Sequence, residues 1–314
     1  MKNSTNNAKQ AKLTMLLNVL VLVFFIISMV FLLNFDKKNR AMLTEKPTYE
    51  FYQDALRNAE QPLKQHTAEL DYYKVKMDTL QANKPEAKNK KEMKKWQEEE
   101  KRISGIMEEK EAQLASTDST IAVAKATFEP VEAEYHQFES DMASAKTTFK
   151  IMMWITILLL IAKIACFAWW NYKNSLNLHE VAPWMKKGNK PFWAYLGWII
   201  PVYNFIKPFS FFSEIWDETT YVLNDKEIVA SNPEEDNEFV LGIWWCFLLI
   251  SFLIISWFLH STFFTQGAMF LKLNHTGVAI AAIICWAVYL LLEVYIIRKY
   301  NELNMKMVEN SDKF

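Results

Sequence analysis

The chain has 314 residues, 51% of them hydrophobic, and its 35 Lys and Arg against 36 Asp and Glu leave a formal net charge of −1. So even a balance removes any bulk electrostatic case for nucleic acid as a partner. The three cysteines, Cys166, Cys246 and Cys285, all fall in apolar runs, which argues against a disulfide framework and for small buried side chains.

Charge is partitioned sharply along the chain. Residues 13–35 carry none, and Lys2, Lys9 and Lys12 precede them. An apolar core of that length, without a small-residue cleavage site, reads as an uncleaved signal-anchor and a first transmembrane helix, so residues 1–34 form one segment. Residues 35–149 are a long, densely charged insert. Residues 150–171 read as a second span, interrupted by Lys163. Residues 172–190 read as a basic loop with Lys173, Lys186, Lys187 and Lys190. Residues 191–213 are apolar but broken by Pro201 and Pro208, which suits an interfacial or re-entrant segment better than a simple span. Residues 214–238 are acidic and read as a solvated loop. Residues 239–260 and 277–297 read as the last two spans, and residues 301–314 as a tail. Counting Lys and Arg close to the spans places both termini in the cytoplasm and residues 35–149 outside it. The expectation is a multi-pass membrane protein.

The insert has a seven-residue rhythm. Leu56, Leu63, Leu70 and Met77 hold one position, and Tyr52, Ala59, His66, Tyr73 and Leu80 the complementary one. Past Asn83-Lys84-Pro85-Glu86, a helix-breaking turn, Met93, Glu100, Met107, Leu114, Ile121, Phe128, Tyr135, Met142 and Phe149 resume the pattern. Trp96, Ile103, Ala124, Val131, Phe138 and Ala145 hold much of the second position. A sustained 3.5-residue period predicts an antiparallel coiled-coil hairpin, with Pro62 and Pro130 kinking its arms and Glu100, Lys110 and Thr117 interrupting its seam. Such a hairpin is either a spacer or a stalk that binds a protein partner or associates with itself.

The membrane part carries a local pattern. Trp170, Lys173 and Asn174 close the second span. Gly197, Trp198, Pro201, Asn204 and Pro208 follow, then Glu214 and Trp216, and Trp244-Trp245 opens the third span. This arrangement resembles an uncharacterised bacterial family of multi-pass membrane proteins, known only as a domain of unknown function. The resemblance covers about residues 150–300. It implies a helical, multi-pass fold in a bacterial cytoplasmic (inner) membrane and supplies no activity.

Two charges fall within spans, Lys163 and Glu293, and charges at that depth are candidate functional residues. Lys163 snorkelling along its stem to the headgroups, with Glu293 at the interface, is the more ordinary reading. A Lys163–Glu293 pair, structural or on a transport path, is the sharper one. His179, His260 and His275 lack metal-ligand spacing, and no phosphate loop or nucleophile motif occurs. No cofactor or catalytic residue is expected. The overall expectation is an all-α integral membrane protein with four transmembrane helices, a Pro-broken interfacial segment and an inserted coiled-coil hairpin. Its role would be a non-enzymatic scaffold in the lipid bilayer. The alternative is a transporter or channel for a small solute or ion, using the Pro-broken segment, Lys163 and Glu293.

Overall fold

The computed structural model describes residues 7–86, 89–184, 190–199, 207–229, 237–264 and 275–314. Every regular element among them is helical. In chain order these are α1 (Ala8–Ala82), α2 (Lys90–Val181), α3 (Trp193–Ile199), α4 (Lys207–Asp225), α5 (Asn237–Phe264) and α6 (His275–Glu309), with a short 3-10 turn at Ser311–Lys313. Four of them, α1, α2, α5 and α6, are long and apolar enough to cross a membrane.

The helices overrun several expected boundaries. Residues 172–181 belong to α2, not to a loop. The reason lies in side chains facing inward from that stretch: Asn174 accepts from the Asn7 amide at 2.9 Å, and Asn177 donates to Asn304 at 3.2 Å. Residues 214–225 likewise belong to α4, because Ile215, Trp216, Thr219, Val222 and Leu223 form a buried stripe at helical spacing behind the acidic face. Residues 301–309 extend α6, where Asn304 and Met307 are buried. Pro47, Pro62 and Pro130 lie inside α1 and α2 without ending them. Pro208 is the second residue of α4, in the first turn, where a missing backbone N–H costs nothing.

The chain divides into two compact units, Lys38–Ala143 and a second unit made of Met1–Lys37 with Ser144–Phe314. Within Lys38–Ala143, side chains on α1 meet α2 in reversed order. Lys38 pairs with Asp141 at 2.5 Å, Tyr49 stacks on Tyr135 at 4.3 Å, and Lys125 reaches Glu60 at 4.0 Å. Farther along, Lys110 pairs with Glu69 at 2.6 Å, Lys76 with Glu99 at 3.4 Å, and the Trp96 indole donates to the Leu80 carbonyl at 2.8 Å. Shielding follows the seven-residue rhythm. Leu70, Trp96, Ile103, Ile121 and Phe128 are buried, and Tyr52, Leu56, Leu63, Tyr73 and Met77 are half-buried between exposed neighbours. Lys110 sits within this shielded row, and its charge is met by Glu69 from the opposite helix.

Inter-helix contacts give the polarity of the second unit. Phe25 meets Trp286 at 5.5 Å and Asp36 meets His275 at 2.5 Å, so α1 and α6 run antiparallel. Lys163 meets Glu293 and Asn177 meets Asn304, so α2 and α6 run in the same direction. Phe258 near the end of α5 lies 5.7 Å from His275 at the start of α6. The start of α5 lies at the other end, where Trp245 packs on Phe209 of α4 at 6.2 Å. Thr219 of α4 bonds Tyr300 near the end of α6 at 3.0 Å. The described part of α4 therefore packs at the end of the unit where α2 finishes and α5 begins.

Candidate functional site

Lys163 and Glu293 come together inside the second unit. The Lys163 ammonium donates to Glu293 Oε2 at 2.6 Å and to the Tyr289 hydroxyl at 2.7 Å. The two side chains are 1% and 0% exposed, so the lysine does not run along its stem toward headgroups. Helix spacing builds the surroundings. Phe167 lies one turn beyond Lys163 and Tyr289 one turn before Glu293, so each charged residue carries an aromatic on its own face. The ammonium lies 4.9 Å from the Tyr289 ring centre and 5.6 Å from that of Phe167, both within cation–π range.

A wider aromatic shell closes over the pair. Trp244 stacks on Tyr289 with ring centres 6.1 Å apart, and Trp286 packs against Tyr289 at 5.2 Å. Phe167 meets Trp170 at 5.7 Å and Trp244 at 6.2 Å. Phe212 and Trp216 of α4 pack on Tyr300 at 5.3 and 5.5 Å. This shell keeps water from the pair, which strengthens the attraction between the charges and raises the penalty for burying them. One acceptor is left over: among the described residues none bonds Glu293 Oε1, which is buried. The arrangement can hold a proton between an amine and a carboxylate, with a phenol in contact and one carboxylate oxygen unclaimed.

The residues of the tryptophan–proline pattern fall in three places. Trp244 and Trp216 are buried in the aromatic shell, and Trp245 is buried beside them, 5.5 Å from Trp244. Gly197 and Pro208 are buried against each other, where a methyl group built on Gly197 would lie 3.5 Å from Pro208 Cγ. Trp198 belongs to α3 and Glu214 lies on the exposed face of α4. Burial and the neighbouring Glu218 raise the Glu214 carboxyl above its ordinary value, and burial with Glu238 does the same for Asp217. Pro201 and Asn204 lie outside the described residues.

Several pairings that matter here were not read from the sequence. Tyr289 and Phe167 were legible as partners, since each stands four residues from an intramembrane charge. Asp36 and His275 are buried against each other at 2.5 Å, yet they are separated by more than two hundred positions and each stands at the edge of an apolar run. Nothing local marks them as a pair. The same holds for Asn7 with Asn174 and Ser28 with Thr156, which meet at 2.9 and 2.8 Å.

No curated protein and no solved structure matches the chain. A family model described as "Domain of unknown function (DUF4328)" matches residues 137–302, just over half of the chain. The matched range takes in the end of the charged insert, Lys163 and Glu293, the whole tryptophan–proline pattern and the aromatic shell. The chain belongs to the DUF4328 family.

Proposed function

We propose that this protein is a non-enzymatic scaffold or assembly protein of a bacterial cytoplasmic membrane, whose residues 35–149 form an antiparallel coiled-coil hairpin that engages a protein partner outside the cytoplasm. The observation that carries the reading is the reversed ladder of contacts between α1 and α2, from Lys38–Asp141 to Lys76–Glu99, along a seven-residue row of shielded side chains. Two long helices that satisfy each other's charges and seam residues present a firm surface, and firm helical surfaces suit partner helices. In this reading the segment 191–213 lies at the interface without crossing. That placement is supported by the packing of α4 at the end of the unit where α2 finishes and α5 starts. The N- and C-termini are then both cytoplasmic.

Deleting residues 45–145 tests the reading. The shortened chain should still insert in the membrane and lose its complex. A shortened chain that retains the full-length protein's partners refutes it. Labelling tests the topology. A cysteine at Glu100, with Cys166, Cys246 and Cys285 replaced, should react with a membrane-impermeant maleimide in intact spheroplasts; protection until lysis puts the hairpin in the cytoplasm.

A second reading, transport of a small solute or ion, is favoured by one observation, the unclaimed Oε1 of Glu293 beside a buried ammonium. Ionisable groups in such positions serve transporters as proton relays. In reconstituted vesicles Glu293→Gln should abolish a flux that the wild type supports, and a wild type without flux over a broad solute panel removes the reading.

A further inference from the structure

We propose that the partner of the hairpin is a second copy of this chain, docked α1 against α1 in parallel along an outward stripe made of Ala68, Tyr72, Val75 and Thr79. The inference rests on the partner-binding reading above and names the partner.

The stripe stands apart from the row that faces α2. The large apolar side chains left exposed on α1 within Lys38–Ala143 are Phe51 at 68%, Tyr72 at 62% and Val75 at 66%. They share one heptad frame: Phe51 and Tyr72 are three heptads apart, and Val75 follows three residues later. Ala68 and Thr79 are exposed and continue the alternating four–three spacing of a second helix-packing seam. Beside the stripe lie two hollows of about 440 and 530 Å³, and Tyr72 lines both. The walls of the first include Val75, Thr79 and Ile103, and those of the second Ala68 and Lys110.

Charge selects the occupant and its direction. Lys64, Asp71 and Asp78 flank the stripe on one side, and Glu69, Lys76 and Asn83 on the other. In a parallel pair each residue of the first set faces the member of the second set five positions on in the other helix. Lys64 then meets Glu69 of the second copy, Asp71 meets Lys76, and Asp78 meets Asn83. Two-fold symmetry makes each contact twice. An antiparallel pair on the same stripe sets each flank against itself, which keeps one attractive contact, Glu69 with Lys76, and opposes Asp71 to Asp78. Glu69 already holds Lys110 at 2.6 Å and Lys76 holds Glu99 at 3.4 Å, so the second copy extends rows of alternating sign and displaces no existing pair.

The test places Tyr72→Cys or Val75→Cys in the full-length chain, with its three native cysteines replaced, and treats native membranes with a short bis-maleimide. Both variants should give a crosslinked dimer, and Lys74→Cys, exposed but off the stripe, should not. Asp71→Lys should lower the Tyr72→Cys yield, and adding Lys76→Asp should restore it. A monomer at both stripe positions overturns the proposal and leaves the hairpin's reading as a partner-binding stalk to its own deletion test. Crosslinking at Lys74 as strong as at Tyr72, or a yield indifferent to Asp71→Lys, also overturns it. Should the cysteine variants not accumulate, particle mass in lipid nanodiscs decides. A wild-type dimer that Val75→Asp converts to monomer supports the proposal, and a monomeric wild type overturns it.

Discussion

Removing one member of the Lys163–Glu293 pair should destabilise the protein strongly, and removing both should not. The ammonium and carboxylate are 2.6 Å apart and sealed from solvent, so a single substitution leaves one charge with no counter-charge and no water. That charge has one escape, which is to lose or gain a proton. At about 1.4 kcal/mol per pH unit, neutralising a lysine at neutral pH costs about 5 kcal/mol, and neutralising a glutamate about 4 kcal/mol. Those figures agree with the roughly 3–5 kcal/mol measured when one partner of a buried ion pair is removed. Lys163→Met and Glu293→Gln should each lose about that much. Lys163→Met with Glu293→Met buries two apolar chains of similar size among Phe167, Tyr289 and Trp244 and should return to within about 1–2 kcal/mol of the wild type. The two single deficits should also respond to pH in opposite directions. The lone lysine is easier to neutralise as pH rises, so the Glu293→Gln deficit shrinks toward alkaline pH. The lone glutamate is easier to neutralise as pH falls, so the Lys163→Met deficit shrinks toward acid. Thermal unfolding in detergent, followed by fluorescence-detected size-exclusion chromatography across a pH series, reads all of this. Single variants as stable as the wild type, or a double variant as unstable as the two singles combined, would refute the reasoning.

Three further outcomes follow from the same geometry. A methyl group on Gly197 makes ordinary contact with Pro208, so Gly197→Ala should be tolerated, whereas Gly197→Leu should cost about 1–3 kcal/mol by overpacking, read as a lowered melting midpoint. The Glu69 carboxyl is held below its ordinary value by its bond to Lys110, Glu99 by Arg102, and Asp141 by Lys38. Because the folded values are lowered, this stabilisation is present above about pH 4 and is lost as pH falls through them, so spin-label distances between α1 and α2 in residues 38–143 should broaden at about pH 3 and stay narrow at neutral pH. His275→Ala removes the buried partner of Asp36 at the first turn of α6 and should cost about 1–3 kcal/mol, seen as a lower melting midpoint and faster amide exchange in that turn.

The four long apolar runs and the seven-residue rhythm were legible because both are local periodicities, repeated over many turns. What the sequence concealed depends on partners far along the chain. Residues 172–181 look like part of a basic loop because the eye is drawn to Lys173 and to Lys186, Lys187 and Lys190 beyond them. The stretch is helical because Asn7, just ahead of α1, meets Asn174 and Asn304 of α6 meets Asn177. The acidic stretch from Glu214 reads as solvated because its charges dominate a residue count, while the buried face of residues 214–225 is carried by five side chains at helical spacing. Lys163 shows the same limit from the other side. A lysine eight residues from the end of a span can reach the headgroups, and only the position of Glu293 and Tyr289, supplied by a helix more than a hundred residues later, decides that it turns inward.

The distant polar pairs also explain how so apolar a unit finds one arrangement. Lipid tails offer helix surfaces no contrast with leucine, so burial of apolar area does little to choose one packing of spans over another. Here α1 meets α2 through Asn7–Asn174 and Ser28–Thr156, and meets α6 through Asp36–His275. α2 meets α6 through Lys163–Glu293 and Asn177–Asn304. Each pair of helices is thus tied at one or two heights, and two ties at different heights fix both register and direction. A slip of one turn along α6 would break the lysine–glutamate bond and the asparagine bond together, leaving a charge and an amide unpaired where water cannot reach. The Lys163–Glu293 pair therefore need not add net stability to specify the fold. It acts by making every other register of α2 against α6 worse.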